Sequence, residues 1–257
     1  MHAGSSPTAA GAPVVRLDTV ASTNAEALER ARGGAMGPLW IIAKAQSGGR
    51  GRQGRVWVSP PGNLYASLLL TDPASPDRAA ELSFVAALAL YDALVQYAPV
   101  IADELKLKWP NDLLLHEKKL AGILIEAEGS GAKPLSVVIG IGVNCVSHPH
   151  DAPYPATDLS TCGVPLAPTV LFNALAMAMP QRLLQWARGA DFASIRRDWL
   201  QRAGGLGAPI RVRTGTRNME GIFADIDRHG RIVVGLPNGA TETVSAGEVF
   251  PIEQVSA

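Results

Sequence analysis

Apolar residues recur in two periods along this chain, and the alternation between them lays out its elements. Residues 14–17 read as a short strand. Ser22-Thr23-Asn24 precedes the helix-forming run AEALERAR, and Thr23 with Glu26 three residues on fits a capping box. Gly33-Gly34 ends that helix. Residues 39–45 and 63–70 read as buried strands. Between them and the next strands, Ser75-Pro76 supplies a cap and a first-turn proline for a long helix through Tyr97.

The pattern then shortens. LKLKW (105–109) alternates in period two, and 113–115 and 120–128 flank a HEKK turn as a hairpin. Residues 135–144 form a further buried strand. Pairing of sequential strands makes the expected sheet mixed and largely antiparallel, in an α+β fold with packed helices. Residues 145–168, rich in Pro, Ser, Thr and Asp, are a long loop of a length that is often functional. Helices are expected over 169–187 and 191–203.

Gly204 to Gly207 mark a linker. Beyond it PIRVRT, GIFADID, RIVVGL and TETVS are short strands separated by turn residues. They predict a small all-β barrel of about 50 residues, below the size that usually folds unsupported and so packed on the main domain. The organisation is a disordered tail over 1–12, a main domain over 13–204 and a small barrel over 205–257.

Composition narrows the classes. The chain has 257 residues, 47% of them hydrophobic, enough for a substantial core. Basic and acidic residues balance at 23 each, which argues against a general nucleic-acid binder while leaving room for a local basic site. Cys145 and Cys162 form no metal-type cluster with histidine and no disulfide framework, so free thiols in a reducing cytosol are expected. No apolar run reaches membrane-spanning length, and the first dozen residues lack the pattern of a signal peptide. A cytoplasmic location follows as the expectation.

The chemistry starts at SGGRGRQGRVW, residues 47–57. Gly49, Gly51 and Gly54 satisfy G-x-G-x-x-G, but a dinucleotide turn must lead into a helix. Here Pro60-Pro61-Gly62 and then a strand follow, which no helix could cross. An Arg-Gly nucleic-acid tail would be disordered, whereas this stretch sits between two apolar strands. A surface loop with solvated arginines is one remaining reading. The other is an anion clamp: glycines let backbone wrap an anion, Arg50, Arg52 and Arg55 offer guanidinium forks, and Trp57 offers a flat face.

KWPNDLLLHEKKLAGILIE, residues 108–126, supplies a second cluster. Lys108 ends a strand, Pro110-Asn111-Asp112 makes a tight turn, Lys119 starts the next strand, and Gly122 permits close approach of a ligand or backbone. Turn chemistry for Asn111-Asp112 and a solvated hairpin end for Lys119 remain alternatives for each alone. In chain order the set is Ser22, Thr23, Asn24, Gln46, the glycine-arginine loop with Trp57, Lys108 to Asp112, Lys119 and Gly122, then Gly140, Gly142 and Asn144. With GRGRxGRxW and KWPND…KLAGIL in combination, the sequence closely resembles the biotin protein ligase family from about Val14 to the C-terminus. With 21 residues ahead of Ser22, no winged helix-turn-helix is expected, so the resemblance is to the monofunctional type without specific DNA binding.

The resemblance implies a class II synthetase-like catalytic domain and an SH3-like C-terminal barrel. It implies ATP and biotin as substrates, Mg²⁺ as an expected ion with its protein ligands open, and biotinyl-5′-AMP as intermediate. The acceptor would be a lysine of biotin carboxyl carrier protein or another biotin-dependent carboxylase domain. The enzyme would be a monomer or weak homodimer, with no membrane partner. Ser22, Thr23, Asn24, Gln46, Gly49, Arg50, Gly51, Arg52, Lys119 and Gly122 are implied at biotin. Arg52, Arg55, Trp57, Lys108, Asn111, Asp112 and Asn144 are implied at the nucleotide. Lys119, Arg52 and Arg55 are implied as catalytic. Two rivals remain: a lipoate ligase or octanoyltransferase, which shares the catalytic fold but lacks the loop as written here, and a nucleic-acid-binding protein using the Arg-Gly loop.

Overall fold

The computed structural model describes residues 5–7, 11–129, 134–151, 154–215 and 217–252. The main sheet has eight strands: β1 (Ser5–Pro7), β2 (Pro13–Val20), β3 (Leu39–Gln46), β4 (Leu64–Thr71), β5 (Leu105–Lys108), β6 (Asp112–Leu115), β7 (Lys118–Glu128) and β8 (Ser136–Val143). Their order is β1-β2-β3-β4-β8-β7-β6-β5. Only β2 and β3 run parallel, joined by the helix α1 (Thr23–Arg32); the other pairs are antiparallel. The mixed, largely antiparallel sheet is therefore as the strand spacing predicts.

Helices cover both faces, which is why β4 and β8 read as nearly continuous apolar runs. Ala27 and Leu28 of α1 pack with Val15, Ile41, Leu69 and Val138 on one face. The helices α2 (Leu82–Tyr97), α3 (Pro168–Trp186) and α4 (Phe192–Leu200) cover the other. α2 is apolar nearly all round because it lies between the sheet and its sister helices. The span Pro76–Tyr97 has the length and apolar composition to cross a membrane, contrary to the reading that no run does. In this fold 72% of its window is buried inside the protein.

Several boundaries differ from the sequence reading for local reasons. Ser22, not Thr23, caps α1: its hydroxyl accepts from the Ala25 N–H, while Thr23 turns to Gln46. Ser75 makes no side-chain cap, and Pro76–Glu81 is a 3₁₀ segment before α2 begins. The hairpin between β6 and β7 turns on His116 and Glu117, both at positive φ, as a two-residue connection requires. Within the segment read as a disordered tail, Ser5–Pro7 pairs antiparallel with Pro13–Val15, using the open backbone groups of the β2 edge; residues 1–4 and 8–10 lie outside the described residues.

After Gly204 the chain enters a second sheet of five antiparallel strands, β9 (Pro209–Arg213), β10 (Asn218–Ile226), β11 (Ile232–Gly235), β12 (Thr241–Val244) and β13 (Glu248–Pro251), ordered β12-β11-β10-β9-β13. Its core residues join the main cluster. Trp109 Nε1 donates to the Gly230 carbonyl at 2.9 Å, and Arg196 bonds Asp225, so the small sheet is held against the large one.

Candidate active site

Four strands set a floor. Across the sheet, Tyr65, Gly142, Gly122 and Asp112 lie in one register row on β4, β8, β7 and β6. The glycines leave room on that row. A Cβ at Gly142 would sit 2.6 Å from Trp57 Nε1, and one at Gly122 would sit 3.2 Å from Trp57 Cζ3. The indole therefore lies on the bare backbone of β7 and β8. Its buried Nε1–H has no hydrogen-bond partner among the described residues. Gly140 is bare for another reason: a Cβ there would be 2.2 Å from Asn24 Oδ1. At these three positions the close approach is made by side chains of the protein itself.

The 47–57 segment is a small hairpin over this floor. Trp57 N–H donates to the Gly49 carbonyl at 2.9 Å and Gly51 N–H to the Arg55 carbonyl at 2.7 Å. Gln53 and Gly54 turn at positive φ. Gly49 is required where the stems cross, since a Cβ would lie 2.3 Å from the Trp57 carbonyl oxygen.

One end of the pocket is lined by neutral, hydrogen-bonded side chains, with one carboxylate, Glu126, behind them. Gln46 Oε1 accepts from the Thr23 N–H at 2.8 Å and lies 3.1 Å from the Thr23 hydroxyl. Gln46 Nε2 donates to Ser59 Oγ at 3.0 Å, and the Ser59 hydroxyl donates to the Trp57 carbonyl at 2.8 Å. Buried Ser67 lies 2.7 Å from Thr23 Oγ1 and donates to Asn24 Oδ1 at 2.6 Å. Asn24 Nδ2 donates to Glu126 at 2.7 Å. Ser22, Thr23, Asn24 and Gln46 thus converge as expected, but Ser59, Ser67 and Glu126 escaped the sequence reading. The one available signal was a lone serine inside the apolar strand LYASLLLT.

The other end is cationic. Lys119 Nζ is 2.8 Å from Asp112 Oδ1 and 5.4 Å from the Trp57 ring centre. Asp112 Oδ1 is buried, and the Lys119 ammonium is its ion-pair partner, with no further hydrogen-bond partner among the described residues. A bulge between β6 and β7, a bond from the Lys119 N–H to the Pro155 carbonyl and one from the Thr157 N–H to the Lys119 carbonyl fix the lysine's backbone. Lys108 lies 4.1 Å from the Tyr154 ring centre, and burial holds its pKa below the usual value. Burial likewise lowers Arg52, whose bonds to Asn111 Oδ1 and the Gly247 carbonyl are long at 3.4 Å. Asn111 Nδ2 donates to the Ile123 carbonyl at 2.6 Å. Partly desolvated cations with weak partners are what an anion site needs.

Three expected residues line the pocket but are engaged by other protein groups. Arg50 reaches Glu126 at 3.1 Å. Arg55 is paired with Glu248 of the small sheet, which also pairs with Arg213 at 2.5 Å. Asn144 donates to the Thr157 carbonyl at 3.0 Å and so braces the backbone at Thr157. Gly247 and Glu248 line the pocket, a contribution of the small sheet that sequence reasoning missed. Among the described residues no three His, Cys, Asp or Glu side chains cluster as a metal site.

Residues 18–144 match the Biotin/lipoate A/B protein ligase family, and residues 205–250 match the Biotin protein ligase C terminal domain. The chain is 44% identical to a biotin–[acetyl-CoA-carboxylase] ligase of Paracoccus denitrificans, over 89% of this chain and 96% of that one. It is 36% identical to the enzyme of the same name from Mycobacterium tuberculosis, over 93% and 90%. It shares its fold with the biotin protein ligase of Aquifex aeolicus in complex with biotin and ATP, at a TM-score of 0.77, 23% identity and coverage of 94% and 99%. With a relative this similar along nearly its whole length, the chain belongs to the biotin protein ligase family.

Proposed function

We propose that the protein joins biotin to a lysine of a biotin carboxyl carrier domain of acetyl-CoA carboxylase, using ATP. The observation that carries the reading is the division of one pocket into an end lined by neutral, hydrogen-bonded side chains and a cationic end. A ureido ring suits the first, because a buried neutral polar ring binds tightly only to matched donors and acceptors. A carboxylate and a triphosphate suit the second.

The chemistry then needs positioning more than a nucleophile. A biotin carboxylate oxygen attacks the α-phosphorus, the bond to the β-phosphate oxygen breaks, and pyrophosphate leaves. Lys119, at the cationic end, would hold both anions together. Arg52 and Lys108 would take the charge that builds on the phosphate. Arg55 joins them once it leaves Glu248. Trp57, Asn111 and Asn144 are assigned to the nucleotide side, with Trp57 offering its face. Asp112, whose Oδ1 is ion-paired with Lys119, is the carboxylate that would reach a magnesium ion bound mainly by the substrate phosphates. A carrier lysine amine then attacks the acyl carbon of the adenylate, AMP leaves, and the amine loses its proton. Gly49, Arg50 and Gly51 would close over the intermediate.

The test is transfer. Purified protein with ATP, biotin and an isolated carrier domain should label one carrier lysine, detected by avidin blot and peptide mapping. Labelling of the carrier by lipoate or octanoate in place of biotin would move the assignment to the lipoate side of the family.

A further inference from the structure

The 47–57 hairpin is tethered on both flanks by acidic residues of rigid elements: Arg50 by Glu126 on β7 and Arg55 by Glu248 on β13. The two tethers differ in one respect. The Glu126 carboxylate is shared with the pocket floor, since Oε2 also accepts from Asn24 Nδ2 at 2.7 Å. Arg50 Nη2 lies 3.1 Å from Oε1 and 3.4 Å from Oε2 of that carboxylate.

Hydrogen-bond polarity makes this sharing consequential. A carboxylate only accepts, and so does the Leu124 carbonyl, 3.4 Å from Asn24 Nδ2. Both face the Asn24 NH₂, which leaves Asn24 Oδ1 toward Ser67. Ser67 has one hydroxyl proton, and Asn24 Oδ1 can only accept, so that proton goes to Asn24. The single Thr23 hydroxyl proton then faces two acceptors, the Ser67 oxygen at 2.7 Å and Gln46 Oε1 at 3.1 Å. Glu126 therefore sets the direction of the bonds at the ring-binding end while it holds the hairpin.

We propose that Glu126 is a positioning residue that couples occupancy of the ring-binding end to closure of the 47–57 hairpin through Arg50. This rests on the reading of that end as the biotin site. A ring bound against Thr23 and Asn24 adds a further contact to Asn24, already bonded to Ser67 and Glu126, and through it narrows the freedom of the Glu126 carboxylate. Arg50 then meets a fixed partner, and closing the hairpin orders fewer groups at once. Substrate binding and shielding of the adenylate are linked by one side chain outside the reacting atoms.

The experiment uses the full chain, with biotin saturating for each variant as set from its own KM. Tryptic cleavage after Arg52 and Arg55 is timed with and without biotin, for wild type, Glu126→Gln, Arg50→Gly and the double variant. Glutamine keeps an acceptor for Asn24 but removes the charge that holds Arg50. Biotin should slow cleavage of the wild type, and Glu126→Gln should lose about two- to five-fold of that protection, the range of a partly exposed ion pair. The double variant should be no less protected than Arg50→Gly alone. Full protection in Glu126→Gln, or additive losses in the double variant, would overturn the coupling. So would a wild type that exchanges pyrophosphate with biotin yet gains no protection, and in that case the biotin reading stands. A wild type without biotin-dependent exchange removes that reading and the coupling with it.

Discussion

Gly140→Ala tests the ring-binding end at a single methyl group. The added carbon would lie 2.2 Å from Asn24 Oδ1 and 2.8 Å from both Asn24 Cγ and Nδ2. Asn24 is 3% exposed and held by Ser67 and Glu126, so it cannot swing into solvent. It must retreat by on the order of 1 Å to reach an ordinary contact. That breaks the 2.6 Å bond from Ser67, which is itself fully buried. An unpaired buried polar group costs about 1–3 kcal/mol, and the overpacking adds about 1–3 kcal/mol. The melting temperature should therefore fall. Because Asn24 is assigned to the biotin ring, the KM for biotin should rise at least about ten-fold, one factor of ten per ~1.4 kcal/mol. The KM for ATP at saturating biotin should change little. Biotin-dependent pyrophosphate exchange measures both constants. Gly33→Ala is the control, since it lies outside the pocket and its Cβ meets nothing nearer than 3.4 Å. An unchanged KM for biotin in a folded Gly140→Ala protein would refute the placement of Asn24 at the ring.

Lys119→Ala should cut biotin-dependent exchange by orders of magnitude while leaving the melting temperature within a few degrees, because its ion pair with Asp112 is partly exposed; an unchanged exchange rate would remove its assigned role. Arg50→Gly should let the adenylate escape, so that incubation with ATP, biotin and a bystander protein gives more avidin-detected bystander labelling than the wild type; equal labelling would remove the shielding role of the hairpin. Asp158→Asn should destabilise the protein by about 1.5–3 kcal/mol at neutral pH. Burial alone would raise the Asp158 carboxyl, but bonds from the Thr161 N–H, His148 and the Thr161 hydroxyl together hold it below the ordinary 3.8. A lowered folded-state pKa gives stability that is present above 3.8 and lost as pH falls through the folded value, so the gap between variant and wild type should close in that window. A gap that persists unchanged in acid melts would contradict this.

Most strands and the main helices were legible because each rests on local periodicity, and the glycine-arginine stretch because its residue types have few physical uses; β1, in the segment read as a disordered tail, β13, and the hairpin form of 47–57 were not. The convergence of Lys108, Asp112 and Lys119 was legible because a hairpin brings them together over a dozen residues. What the sequence could not display were partners far along the chain. Ser67 meets Asn24 across 43 positions, and Asn24 meets Glu126 across 102. Arg55 meets Glu248 only because the small sheet folds back over the pocket. No local pattern separates these residues from ordinary strand or surface positions. The cap of α1 was misassigned for a related reason: Thr23 has the right chemistry for a cap, but its hydroxyl is engaged by Ser67 and Gln46, which lie elsewhere in sequence.

The central claim is that one pocket receives a neutral ring and a carboxylate beside ATP, and its most direct test is isotope exchange between pyrophosphate and ATP in the absence of any carrier. The account expects exchange that depends on biotin, saturates with it, and is absent with lipoate or octanoate in its place. Exchange that proceeds equally without biotin, or that is driven by lipoate or octanoate and not by biotin, would contradict it.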